Sequence, residues 1–378
     1  MKLFKKILSY VLVAALASGA TVLAGYFVTN DKLDDLRRTI DLFYVDPVDW
    51  EAVDDAAANA MVEALPDRWS YYISAADYED YTEDKNNAYV GVGIVVQKHE
   101  KGFLILKVEE GSGAAAAGLQ AADVLIRADG QDLSGWDITQ VREAIRGEAN
   151  TTVELVVLRG EEQLTVQAQR LLIQRQVATG QMLEGNIGYV RIENFNTGCA
   201  EQTIARVEEL RQQGAVALVF DVRNNGGGYQ SELVELLDYL LPEMEVFHSV
   251  DYKGKEEFSY SDAEYVDLPM AVLINPECYS AAEFFAAALR IGNEAPLVGR
   301  PTVGKSHYQV TYQLSDGSAV ALSVGKYYTP DGVCLEDVGG LIPDVTVEVT
   351  EEQFLQIYAQ TLPLEEDPQL QAALNALE

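Results

Sequence analysis

Residues 275–309 read NPECYSAAEFFAAALRIGNEAPLVGRPTVGKSHYQ. The apolar run Ala271-Val272-Leu273-Ile274 just before them reads as a buried strand, and Asn275-Pro276 breaks it. A helix-forming run, Phe284-Phe285-Ala286-Ala287-Ala288-Leu289, follows. The order predicts a strand, a turn and a helix, with Ser280 at the hand-over. A nucleophile there gains an exposed side chain and the free N–H groups of a helix N-terminus. A serine in that place also serves as a plain N-cap, and Glu283 three residues on completes a capping-box pattern. Ser280 alone therefore carries two readings.

Gly304-Lys305 lies 25 residues after Ser280. A serine hydroxyl needs a base, and a lysine serves as one only when neutral. With an unperturbed pKa of about 10.4, roughly one lysine in 2,500 is neutral at pH 7, and holding one near 7 takes about 4 to 5 kcal/mol. Desolvation is the usual cause. The sequence neighbours suit it: Val303 and Gly304 before, Tyr308 and Val310 after, with no acid close by in sequence. Gln309, four residues on, offers a neutral amide that can orient an amine without stabilising its charge.

The stretch resembles the active-site region of the C-terminal processing peptidases, also called tail-specific proteases. In that family the nucleophile stands in a Ser-Ala-Ser-Glu motif, a Gly-Lys pair follows 25 residues after it, and a Gln comes four residues later. Here the positions are Ser280-Ala281-Ala282-Glu283, Gly304-Lys305 and Gln309. Only Ala282 departs, at a position that is not catalytic in the family. The resemblance implies a serine nucleophile at Ser280, a lysine base at Lys305 and an orienting Gln309. A second family motif, D-L-R-x-N-P-G-G, is matched by Asp221-Val222-Arg223-Asn224-Asn225-Gly226-Gly227-Gly228, with Gly226 in place of the proline. On that match the N–H of Gly227 or Gly228 joins that of Ala281 in an oxyanion hole. As a bare sequence, a Gly-rich turn between strand and helix also suits phosphate. This one, however, lacks the Lys-Ser/Thr of a P-loop.

The chain of 378 residues has room for two to three domains. Its net charge of −33 argues against nucleic acid as a partner, which needs basic patches. The 22 residues from Ile7 to Val28 carry no charge, enough for a bilayer span. Lys2, Lys5 and Lys6 precede them, and Asp31, Asp34 and Asp35 follow, which predicts a cytoplasmic amino end and an extracytoplasmic remainder. A single-pass signal anchor in the cell membrane is expected; small residues between Ala15 and Gly25 leave a cleaved signal peptide open. Cys199, Cys278 and Cys334 include no CxxC pair and do not suggest a disulfide framework. No metal motif is present, and no cofactor is expected.

The sequence therefore predicts a multidomain α+β chain. Residues 1–30 form the cytoplasmic tip and anchor, and residues 31–85 a helical module with a Tyr71, Tyr72, Tyr78, Tyr81 cluster. Residues 86–172 form a β-rich module, residues 173–350 an α/β protease core and residues 351–378 a C-terminal helical segment. In the β-rich module, Tyr89 to Val96 alternates glycine with apolar residues, further strands are expected at 103–108, 124–128, 153–158 and 164–169, and a helix at 137–145. That order suits a small, partly open barrel and resembles the PDZ domain of these peptidases. The resemblance implies capture of a peptide tail by β-augmentation, with Gly91, Val92, Gly93 and Ile94 at the carboxylate loop. It also implies Arg146-Gly147 as a contact toward the protease core, and an amino-terminal helical module that takes part in self-association, hence a possible homodimer.

Other readings compete. Cys278, two residues before Ser280, is a rival nucleophile. The only histidines are His99 in the β-rich module, His248 beside Ser249 and Asp251, and His307 near Lys305, which leaves little for a Ser-His-Asp site. A non-catalytic, membrane-tethered scaffold that holds tails through its PDZ-like module is the alternative from another class. The expectation is a membrane-anchored serine endopeptidase acting on proteins or peptides with accessible C-termini.

Overall fold

The computed structural model describes residues 32–377, in two compact units divided between Ala64 and Leu65. The expected anchor at residues 1–30 lies outside the described residues. Among the described residues, no helix is long and apolar enough to cross a membrane.

The described part of the first unit is a pair of helices, α1 (Lys32–Phe43) and α2 (Trp50–Glu63). Asp49 caps α2 by accepting from the Ala52 N–H. Arg37 clasps Asp54 with one guanidinium nitrogen 2.7 Å from both carboxylate oxygens.

The second unit opens with β1 (Tyr71–Ile73) and α3 (Tyr78–Asn86). The sequence reading assigned residues 65–85 to a helical module. They belong instead with the main body, because Tyr71, Tyr72 and Ile73 pair with Ala321, Val320 and Ala319 of the protease core. The next strand is β2 (Ala88–Gly91). The run from Tyr89 to Val96 does not form one strand. It breaks at Val92-Gly93, where Gly93 adopts φ 81°, and resumes as β3 (Ile94–His99). Then come β4 (Gly102–Val108), the short α4 (Gly113–Ala116), β5 (Val124–Ala128), β6 (Gln131–Asp132), α5 (Ile138–Ile145), β7 (Thr152–Arg159) and β8 (Glu162–Gln169). Strands β3-β4-β5-β7-β8 form one antiparallel sheet, to which β6 adds through β5. Phe103, Ile105, Leu125, Val153, Leu155 and Val157 fill its core. α5 starts with a capping box between Asp137 and Gln140. β9 (Leu171–Gln174) pairs with β2, so the chain enters and leaves this module side by side.

The core sheet holds β10 (Ala178–Leu183), β11 (Ile187–Ile192), β12 (Ala217–Asp221), β15 (Met270–Ile274), β16 (Leu297–Gly299) and β19 (Val345–Thr346), in that spatial order. Apart from the β10–β11 pair it is parallel. Every residue of β12 and β15 is buried, as two-sided coverage of a parallel sheet requires. α6 (Cys199–Gln212), α7 (Gln230–Leu240) and α8 (Ala281–Gly292) cover the face carrying Leu218, Phe220, Val272 and Ile274. The alternate residues Val219, Ala271 and Leu273 meet Leu370 and Ala373 of the last helix, α11 (Pro368–Ala376), which follows α10 (Glu351–Tyr358). The C-terminal helical segment is therefore part of the core. A second sheet, with the order β1-β18-β13-β14 and β17 on β18, is built from β13 (Glu245–Asp251), β14 (Glu256–Tyr260), β17 (His307–Gln313) and β18 (Ala319–Tyr328). A short helix, α9 (Leu335–Val338), precedes β19.

Candidate active site

β15 ends at Ile274 and α8 begins at Ala281, and the turn between them is pinned by side chains. Asn275 Oδ1 accepts from the N–H groups of Asn224 (3.0 Å) and Glu277 (3.2 Å), and its amide donates to Asn224 Oδ1 (2.7 Å). This ties the turn to the Asp221–Gly228 loop. Ser280 sits at φ 60°, ψ −131°, outside the regions ordinary for a residue with a Cβ. The strain is local to the residue at the strand-to-helix hand-over.

Glu283 does more than cap. Its fully buried carboxylate accepts from the Ser280 N–H (2.9 Å), the Thr302 hydroxyl (2.5 Å) and the N–H groups of Gly304 (2.7 Å) and Lys305 (2.8 Å). One side chain thus fixes the backbones on both sides of the site. Burial raises its pKa, and the four donors act in opposition.

The Lys305 ammonium lies 4.9 Å from the Trp69 ring centre and 5.6 Å from that of Tyr279, and these two rings stack on each other at 6.1 Å. Loss of water against these walls, aided by the charge of Lys85, brings the Lys305 pKa down to about 8, with Asp67 and Glu283 pulling the other way. Asp67 is itself engaged by the N–H groups of Trp69 and Ser70 and by the Ser70 hydroxyl. Sequence neighbours gave no acid near Lys305, but the fold brings two. Ser280, Lys305 and Gln309 line one cavity of about 440 Å³. The Gln309 amide donates to the His307 carbonyl (3.1 Å) and to Ser323 Oγ (3.0 Å). No hydrogen bond joins Gln309 to the Lys305 amine among the described residues.

In the glycine turn, the Gly227 N–H is already donated to Asn225 Oδ1 (2.8 Å), and Asn225 in turn is held by the Ile192 carbonyl. A Cβ on Gly227 would fall 2.8 Å from Ser280 Cβ and 2.9 Å from the Ala281 nitrogen. Gly227 therefore packs directly against Ser280 and Ala281. Gly226 and Gly228 line the cavity. The glycine at 226 has a local reason, since a Cβ there would meet the Tyr279 hydroxyl at 2.6 Å. Behind the turn, Arg223 binds Asp221 through Nε (2.9 Å) and Nη2 (2.7 Å), Asp367 through Nη2 (2.7 Å) and Gln369 through Nη1 (2.9 Å). Tyr189 donates to Asp221 at 2.6 Å. Burial alone would raise the Asp221 pKa, but Arg223 overcomes it and holds the group down to about 2.

The rival nucleophile and bases sit elsewhere. Cys278 is fully buried, and burial keeps its thiol well above the ordinary range. His248 stacks between Phe258 and Tyr328, and His307 Nδ1 lies 3.2 Å from Glu336. None of the three histidines lines the cavity.

Gly91, Val92, Gly93 and Ile94 border a second cavity, of about 330 Å³, between β3 and α5, with Ile138, Val141 and Ile145 opposite. The Val92 carbonyl accepts from Ala114 and the Gly93 carbonyl from Glu109, each at 2.9 Å, which fixes the loop. Arg146, at the end of α5, binds Asp80 and Glu83 of α3 at 2.6 Å each, and Arg142 binds Asp80 at 2.8 Å. Arg146 was expected to contact the protease core; its partners lie instead on α3, within the residues assigned to the helical module, and α3 also lines the Ser280 cavity.

Sequence reasoning missed Trp69, Tyr279 and Lys85 around the amine, because nothing in local spacing links them to Lys305. Arg223 and Asp221 stood in a quoted motif, whose Asp-x-Arg order was the available signal for their pairing.

Residues 186–347 match peptidase family S41, and residues 104–159 match a PDZ domain. The chain is 29% identical over 322 residues to the carboxy-terminal processing protease CtpA of Bacillus subtilis (strain 168), covering 84% of this chain and 69% of that protein. It is 27% identical over 336 residues to a CtpA-like serine protease of Staphylococcus aureus (strain N315), covering 88% and 67%. A crystal structure assigned to the S41 proteases, from Bacteroides fragilis NCTC 9343, shares the fold with a TM-score of 0.51 at 18% identity, over 89% of this chain and 92% of that one. With a β-rich PDZ module and an α/β core that matches the S41 model over residues 186–347, the chain is similar to the serine-type carboxy-terminal processing proteases.

Proposed function

We propose that this protease cuts proteins at or near their C-terminal tails with a Ser280–Lys305 dyad. The observation that carries the reading is a strained Ser280 sharing one cavity with a half-buried Lys305 whose pKa is brought down to about 8. Neutral Lys305 takes the Ser280 proton as Oγ attacks the scissile carbonyl, and the carbonyl electrons move onto oxygen. The N–H of Ala281, with that of Gly228, stabilises this oxyanion; the commitment of the Gly227 N–H to Asn225 favours Gly228 for the part. Lys305 then gives its proton to the leaving amine, the C–N bond breaks, and an acyl-enzyme remains. Water, deprotonated by Lys305, releases the acid and returns Ser280. Gln309 orients the Lys305 amine through its amide oxygen, which the bonds from its Nε2 to His307 and Ser323 leave available.

The tail is captured along β3 at the Gly91–Ile94 loop, by added-strand pairing and N–H groups turned to its carboxylate. The Ile7–Val28 segment anchors the chain in the cell membrane, with residues 31–85 leading to the PDZ domain and the core outside the cytoplasm. The exposed Leu36, Leu42 and Phe43 of α1 suit pairing with a second copy. The test compares cleavage of an unfolded protein and of apolar-tailed peptides by wild type, Ser280→Ala, Lys305→Ala and Cys278→Ala. Activity is expected to vanish in the first two variants and to persist in the third. Cleavage by Lys305→Ala would sink the dyad.

A further inference from the structure

α3 gives Tyr78, Tyr81, Thr82, Lys85 and Asn86 to the cavity of Ser280 and Lys305. Their spacing is that of one helical face. Three of the four acids of this helix are engaged elsewhere: Asp80 by Arg142 and Arg146, Glu83 by Arg146, and Asp84 by Arg175; the fourth, Glu79, does not line the cavity. Lys85 makes no salt bridge among the described residues, and its ammonium lies 5.8 Å from the Tyr81 ring centre. The chain has 60 Asp and Glu against 27 Lys and Arg, yet this cavity is lined by two lysines and no Asp or Glu.

Lys85 is half-buried with no acid beside it in the cavity lining, so its charge lacks a counter-ion there. An anion from the substrate relieves this. Lys305 is not its partner, because the dyad needs that amine neutral. Lys85 is the cation left. We propose that Lys85 is a specificity-determining residue that pairs with a carboxylate of the peptide close to the scissile bond. The carboxylate is either an Asp or Glu side chain or the α-carboxylate of a short tail. The inference rests on the Ser280–Lys305 reading. The same charge also helps to keep Lys305 neutral, but that effect acts on every substrate alike, whereas pairing changes the ratio between substrates.

The test uses the full chain and three matched peptides: Glu near the scissile bond with an amidated end, Gln there with an amidated end, and Gln with a free carboxylate a few residues beyond the bond. Wild type is expected to show about tenfold higher kcat/KM for at least one carboxylate peptide over the neutral one, as for a hydrogen bond to a charged group. Which of the two gains identifies the source of the carboxylate. Lys85→Gln should bring the ratio to near one, and Lys85→Glu should turn it below one. Equal kcat/KM in wild type, or a preference kept by Lys85→Gln, overturns the inference while leaving the serine mechanism standing. Direct binding to the Ser280→Ala protein separates the two claims. If wild type cuts none of the peptides but the Ser280→Ala protein still binds the carboxylate form about tenfold better than the neutral one, the serine reading fails and the anion site stands.

Discussion

At the scale of single residues, the site is a set of conflicts held in place by their neighbours. Ser280 adopts a backbone conformation that glycine takes freely and serine does not. Ser280→Gly should therefore be more stable than Ser280→Ala by about 1 kcal/mol in urea unfolding, although both lack the nucleophile. Equal stabilities would mean that the turn carries no strain. Ser280, Lys305 and Gln309 were legible because a motif and its spacing lie within one stretch. The second role of Glu283 was not. Its capping pattern is local, but its bonds to Thr302, Gly304 and Lys305 exist only once the chain has folded back. Lys85 was illegible for the same reason: from sequence it is a charge on a helix, and its surroundings come from other elements.

At the scale of elements, apolar runs were read correctly, down to the five residues of β5 at 124–128, whereas the three-residue β1 was not. β15 announces itself as an uninterrupted apolar segment, and α8 as an Ala- and Phe-rich helix. β1 is three residues long, and its strand character comes from pairing with Ala319–Ala321. The break at Val92-Gly93 divides what alternation alone presented as one strand. α11 looked like an appendage but closes one face of the core sheet and supplies Asp367 and Gln369 to Arg223. Leu370 is fully buried there. Leu370→Ala should cost about 2 to 5 kcal/mol, read as a lower denaturant midpoint with an unchanged slope. A loss below about 0.5 kcal/mol would show that α11 does not close the sheet.

At the scale of the whole molecule, charge is distributed by function. A chain with net charge −33 keeps acids off the lining of the Ser280–Lys305 cavity, and Arg142 and Arg146 of the PDZ module pair with Asp80 and Glu83 of the helix that borders it. The central claim is that Lys305 acts as a neutral base. Its pKa is lowered, so the amine is protonated and inactive below about 8 and competent above it. The most direct measurement is kcat/KM for one uncharged peptide from pH 6 to 10, in wild type and Lys305→Ala. The account predicts a rise of about tenfold per pH unit that levels off near pH 8 in wild type, and no activity in the variant. A flat profile across that range, or cleavage by Lys305→Ala, would contradict it.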